Sequence, residues 1–362
     1  MKPIPSRKKV FPLLLVSIIA LILGTWAGLV RLGWQWKVDP RWLMEHGPLM
    51  VSAFLGTLIG VERAVALGQW WTFTGPALTG LGGLVLLISP GNPVGLWLIL
   101  IGSVLVIPIF SLILQRQPLL ATWIMAFGTV MWVFGNALWV FGKPIPVATL
   151  WWIGYLTLTI VGERLELARL LVLTRNILSM LYAALLILTV GMIVGTFSYP
   201  WGVRIVGIGL VATGGWLTQY DIARRTIRQK GLPKFVAASL LSGYVWIIVS
   251  GLLALLNPTV MAGFKYDAWL HAFFLGFIFS MIFGHAPVIF PSVLSLPIVF
   301  HPWAYGYLAL LHISLILRVL GDLNTNMTWR RWGGLLNGFA LLFFLLDVIY
   351  AIITTRGKKL VG

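Results

Sequence analysis

Five histidines, His46, His271, His285, His301 and His312, are the residues best suited to chemistry in this 362-residue chain. Neutral imidazole ligates haem iron and copper without burying a charge. Asp267 precedes His271 by one helical turn, so its carboxylate lies on the ring's own face and is placed to orient it. His285 follows His271 by about 21 Å along one helix, at about 1.5 Å per residue, and by nearly four whole turns. On an unbroken helix both rings therefore share a side. His301 opens the next apolar stretch, and His312 lies about 16 Å beyond it. Met44 and Met50 flank His46 with thioether sulfur, a soft ligand suited to copper. Gly47 and Gly276 leave room for a flat ring beside His46 and His271. The metal candidates are thus His46, His271 and Met44, and all five histidines are candidate cofactor ligands. The plainer reading is that membrane histidines form hydrogen bonds. Pro287, Pro291, Pro297 and Pro302 also suit a rigid turn in which His285 and His301 act as caps.

The chain has only nine acidic residues. Two of them, Glu62 and Glu163, hold matching places before an arginine in a repeated phrase, LIGVERAVAL at 58–67 and TIVGERLELARL at 159–170. Adjacent residues on a helix point about 100° apart, so Glu62, Arg63, Glu163 and Arg164 are expected to pair across helices. An ionisable side chain inside a bilayer faces the bundle interior and has a partner there.

The elements that must position these residues are membrane helices. Apolar residues make up 59% of the chain and charged residues 10%, with a mean hydropathy of +0.97. Soluble domains carry roughly 25% charged residues. The expected fold is an all-α polytopic membrane bundle, one transmembrane domain over residues 1–362. Twelve spans are predicted: 11–32, 46–68, 75–90, 94–114, 119–141, 146–170, 176–198, 202–221, 235–256, 266–287, 299–320 and 332–354. The first run lacks a small-residue cleavage site and reads as a retained helix. The chain has no cysteine, which excludes disulfides, iron–sulfur clusters and thiolate metal sites.

The net charge of +17 reflects basic cytoplasmic loops and not nucleic-acid binding. With the N-terminus inside, Lys and Arg concentrate on the side that carries both termini, as a cell-membrane protein requires. Arg318, Arg330 and Arg331 run against that bias. On this map His46 and His271 open their spans at equal depth near the outer face. That makes them candidate paired axial ligands of one haem.

Here the chain resembles a family. Trp269-Leu270-His271-Ala272, followed by Gly276, Met281 and Gly284-His285, resembles the tenth-helix signature of the NnrS family, which opens on His-Ala and closes near Gly-His. Met44-Glu45-His46 partly matches the His-x-His-Glu-Met phrase that begins that family's second helix. The resemblance implies a 12-helix layout similar to the haem–copper oxidase catalytic subunit, with haem, copper and a link to nitric oxide resistance. Met44 stands where the family has its first histidine. Ala286-Pro287 follows Gly284-His285 in place of Thr-Gly-Arg.

The oxidase chemistry itself is excluded. That centre needs six histidine ligands, an adjacent histidine pair and a His-Pro-Glu phrase, whereas this chain has five histidines, no such pair, and His301-Pro302-Trp303. What the resemblance leaves is haem binding with electron transfer, through a redox partner, or binding of a small gas. Two rival readings are a secondary transporter, which glycine-rich helices suit, and a structural or assembly subunit of a respiratory complex.

Overall fold

The computed structural model describes residues 7–168, 173–294 and 300–360. It is all-α: a polytopic bundle of twelve long helices among the described residues. In a bilayer a helix satisfies every backbone group internally, so a chain this apolar has few alternatives. The helices fall into two compact units, Met1–Glu166 and Leu167–Gly362. The first contains α1 (Arg7–Arg31), α2 (Trp42–Leu67), α3 (Trp70–Ile88), α4 (Pro93–Arg116), α5 (Leu120–Val140) and α6 (Ile145–Leu167). The second contains α7 (Arg175–Phe197), α8 (Tyr199–Tyr220), α9 (Leu232–Leu256), α10 (Phe264–Pro291), α11 (Ala304–Leu323) and α12 (Met327–Thr354).

Local chemistry sets the helix ends. Asn92 caps α4, its side chain accepting from the Val94 amide at 2.9 Å, with Pro93 in the first helical position. Gly68 ends α2 in the left-handed region, at φ 69°. Eleven of the twelve helices are long and apolar enough to cross a membrane. The exception is α8, predicted as the eighth span. It is long enough at 22 residues but carries Arg204 and Gln219. It packs between α7 and α9, with Gly209 against Leu188 and Gly207 against Gly251, while Arg204 stays exposed.

Two features of the helices bearing His46 and His271 depart from the sequence reading. Each contains an eight-residue π-helical segment, Leu49–Gly56 in α2 and Ala272–Phe279 in α10. A widened turn adds a residue, and each added residue rotates all later side chains by about 100°. His285 therefore does not keep the one-face relation to His271 that an unbroken helix would give. Moreover, α10 does not stop at Pro287: the helix runs on through it and Pro291. Prolines are tolerated in membrane helices because neighbouring groups satisfy the freed backbone. His285 thus sits within the helix, 6% exposed, and does not cap a turn. Pro302, by contrast, precedes α11, and Pro297 lies outside the described residues.

In the second unit α11 and α12 form a close hairpin. A Cβ on Gly321 would lie 2.5 Å from the Arg330 nitrogen, and one on Gly333 would lie 2.5 Å from the Arg318 nitrogen. Each glycine lets the other helix's arginine approach backbone to backbone.

Candidate functional site

In the first unit, α1 presents Gly24 and Gly28 to α2. The His46 Nδ1–H donates to the Gly24 carbonyl at 2.7 Å. A carbonyl oxygen only accepts, so Nδ1 carries the proton and Nε2 carries the lone pair. A Cβ on Gly28 would lie 2.7 Å from His46 Cε1, so the ring lies flat in the groove that this glycine leaves. Met50 fills the position beside it, its sulfur 2.9 Å from where a Gly24 Cβ would stand. Met44 does not join His46. Two positions apart on a helix is about 200°, and Met44 is 68% exposed. The pairing of Met44 with His46 as a metal set is therefore corrected by helix geometry alone.

At the other end of α2 lies a charge network. Arg63 Nη2 donates to Glu163 Oε1 of α6 at 2.5 Å and stands 3.5 Å from Glu62 Oε1. The Arg63 and Glu163 side chains are 11% and 13% exposed. Arg164 is 3% exposed, also inside the unit. Arg63 lies 6.0 Å from the centre of the Phe110 ring of α4.

A polar knot in the same unit escaped the sequence reading. Asn136 Oδ1 accepts from Ser52 Oγ at 3.0 Å and from Trp152 Nε1 at 3.0 Å. Trp132 Nε1 donates to Ser52 Oγ at 3.1 Å. The available signal was a lone asparagine inside the apolar α5.

In the second unit, the first turns of α10 carry the densest group of ionisable side chains. His271 Nδ1–H donates to the Asp267 carbonyl at 2.9 Å and stands 3.2 Å from Asp267 Oδ1. The Asp267 carboxylate also receives Arg318, Nε at 3.1 Å and Nη2 at 2.9 Å. Arg330 stands 3.7 Å from it and donates through Nε to Asp322 Oδ1 at 2.7 Å. Three helices, α10, α11 and α12, thus meet through two carboxylates and two guanidinium groups. Sequence reasoning found Asp267 and His271 but missed Arg318, Arg330 and Asp322 as their partners.

The remaining histidines are dispersed. His285 Nδ1–H donates to the Met281 carbonyl at 2.7 Å. His301 stacks on Trp303 with ring centres 4.5 Å apart. His312 accepts at Nδ1 from Trp246 Nε1–H at 3.0 Å. An indole N–H only donates, so the neutral His312 ring carries its proton on Nε2 and offers a metal neither nitrogen. That removes it from the ligand candidates. The space expected at Gly276 is taken by the same Trp246, whose ring lies 2.4 Å from where a Gly276 Cβ would stand. A Cβ on Gly47 would meet the Trp152 ring at 3.9 Å. No group of three or more His, Asp or Glu side chains suited to hold a metal ion occurs among the described residues.

No curated protein and no solved structure matches this chain. The family described as a domain of unknown function, DUF8744, matches it over residues 10–353. Spanning nearly the whole chain, that match means that the protein belongs to the DUF8744 family.

Proposed function

We propose that this integral membrane protein binds haem, and that His46, in the first unit, and His271, in the second, each serve as an iron ligand. The observation that carries the reading is the tautomer of the two rings, which His285 shares without the Asp267 carboxylate that stands beside His271. Each donates Nδ1–H to a backbone carbonyl, which leaves the lone pair on Nε2, the form an iron ligand needs. Asp267 adds a carboxylate behind His271, the partner that raises ligand basicity in metal-bound histidines. Bound haem would supply one-electron chemistry or a gas-binding iron. This chain's part is to hold each ring: Gly24 and Gly28 fix His46, and Asp267 fixes His271. The NnrS resemblance directs the reading toward nitric oxide response or membrane electron transfer. Copper is a weaker fit, because Met44 points away from His46.

The reading places the protein in the cytoplasmic membrane with both termini inside. Arg318 and Arg330, which run against the basic-loop bias, are engaged with Asp267 and Asp322. Charges neutralised inside the fold weigh less in topology than loop cations.

The test is spectroscopic. Purified protein is expected to show a Soret band and an α-band. His46→Ala or His271→Ala should alter the coordination signature, and the double variant should lose the pigment. An unchanged spectrum in the double variant would sink the assignment. A second reading, a secondary carrier, is favoured by the ionic group around Asp267, since buried charges in membrane helices mark ion and proton pathways. A colourless protein that moves a solute when reconstituted would establish it instead.

A further inference from the structure

The turn between α8 and α9 and the first turn of α9 are strongly basic. Arg224, Arg225, Arg228 and Lys230 lie in the turn, Lys234 opens α9, and all are exposed. No acidic residue lies between positions 222 and 234. The nearest, Asp221, is 5% exposed, and its Oδ1 accepts from the Ala223 amide at 2.7 Å. Arg224 turns back to cap α8, donating to the Gln219 carbonyl at 2.8 Å and to Gln219 Oε1 at 2.9 Å. Arg225, Arg228, Lys230 and Lys234 have no acidic partner among the described residues.

The backbone under these cations is ordered. Ala223–Thr226 is a short helix, the Gln229 amide donates to the Thr226 carbonyl at 3.0 Å, and Gly231 reverses the chain at φ 66°. Pro233 then starts α9, a membrane-crossing helix, so Lys230 and Lys234 stand at its mouth. Tyr220, its ring 5.7 Å from Trp216, closes α8 with the aromatic pair common at headgroup depth.

We infer that this turn is a binding surface for the phosphate headgroups of anionic lipids. Four uncompensated cations on a fixed turn, at the depth where a bilayer carries its phosphates, recruit that charge from the membrane. The flexible Lys and Arg stems reach a headgroup without moving the backbone. The inference is independent of haem binding.

The full chain is reconstituted in nanodiscs of phosphatidylcholine doped with phosphatidylglycerol, and the lipids it retains are counted by native mass spectrometry. Preferential retention of phosphatidylglycerol is expected. The combined variant Arg225→Gln, Arg228→Gln, Lys230→Gln, Lys234→Gln should lower the preference by roughly 600-fold, at about fivefold for each of the four cations lost near a membrane surface. Arg225→Lys with Arg228→Lys should keep it, and so should Lys265→Gln, an exposed cation in the first turn of α10. Equal retention by wild type and the combined variant would overturn the inference. So would an equal loss in Lys265→Gln, which marks a general charge effect. Displacement of phosphatidylglycerol by inorganic phosphate at matched concentration would also overturn it, by showing a site for free anions.

Discussion

Arg318 meets Asp267 through two nitrogens of one guanidinium, Nε at 3.1 Å and Nη2 at 2.9 Å, and so ties α11 to the first turn of α10. The side chains are 8% and 16% exposed, so this is a buried pair. Removing one partner of a buried pair leaves the other charge uncompensated, at a cost of about 3–5 kcal/mol. Asp267→Asn is therefore expected to destabilise strongly, since both Arg318 and Arg330 lose a carboxylate. Thermal unfolding in detergent measures it. The double variant Asp267→Asn with Arg318→Gln should recover part of the loss, and purely additive losses would show the two residues to be uncoupled.

The same logic applies in the first unit. Glu163→Gln removes the carboxylate that receives Arg63 and is expected to cost about 3–5 kcal/mol. A melting temperature and yield equal to wild type would mean that the arginine is solvated in solution and the pair contributes nothing.

These two networks show where the sequence is legible. Long apolar runs mark the helices, and span limits fall within a few residues of the helix ends, as for 94–114 against Pro93–Arg116. The contact of Asp267 with His271 could be read from a spacing of one turn. Arg318 and Arg330 could not be assigned to Asp267, because their approach depends on Gly321 and Gly333 closing the α11–α12 hairpin. The π-helical segments left no mark in the hydrophobic pattern, so the expected alignment of His271 with His285 failed. The space at Gly276 was real, but a glycine does not say what fills it, and Trp246 of α9 does.

His312 offers a control on the ligand assignment. With Nδ1 accepting from Trp246 and the proton on Nε2, it has no lone pair for iron. His312→Ala should leave the Soret and α-bands of the haem-loaded protein unchanged. It should also lower stability by about 1–3 kcal/mol, because the buried Trp246 N–H loses its acceptor. Loss of the pigment with the fold intact would transfer ligation to His312 and contradict the tautomer derived from the indole.

The groove on α1 allows a test of His46 that leaves the histidine in place. A methyl at position 28 would stand 2.7 Å from His46 Cε1 and 2.9 Å from Nδ1, closer than any relaxed contact. Either the ring moves or α1 and α2 separate. Moving the ring breaks the hydrogen bond to the Gly24 carbonyl, and with it the constraint that fixes the tautomer. Gly28→Ala should thus reproduce the spectral change of His46→Ala while costing about 1–3 kcal/mol, the range for overpacking in a close-packed core. Gly215→Ala serves as the control, because a Cβ there meets nothing within 4 Å: the spectrum should not respond, and stability should hold or rise by up to about 1 kcal/mol. If Gly28→Ala folds, binds haem and keeps the wild-type bands, the ring at position 46 carries no ligand. The groove would then be a helix-packing contact whose histidine only bridges α1 and α2.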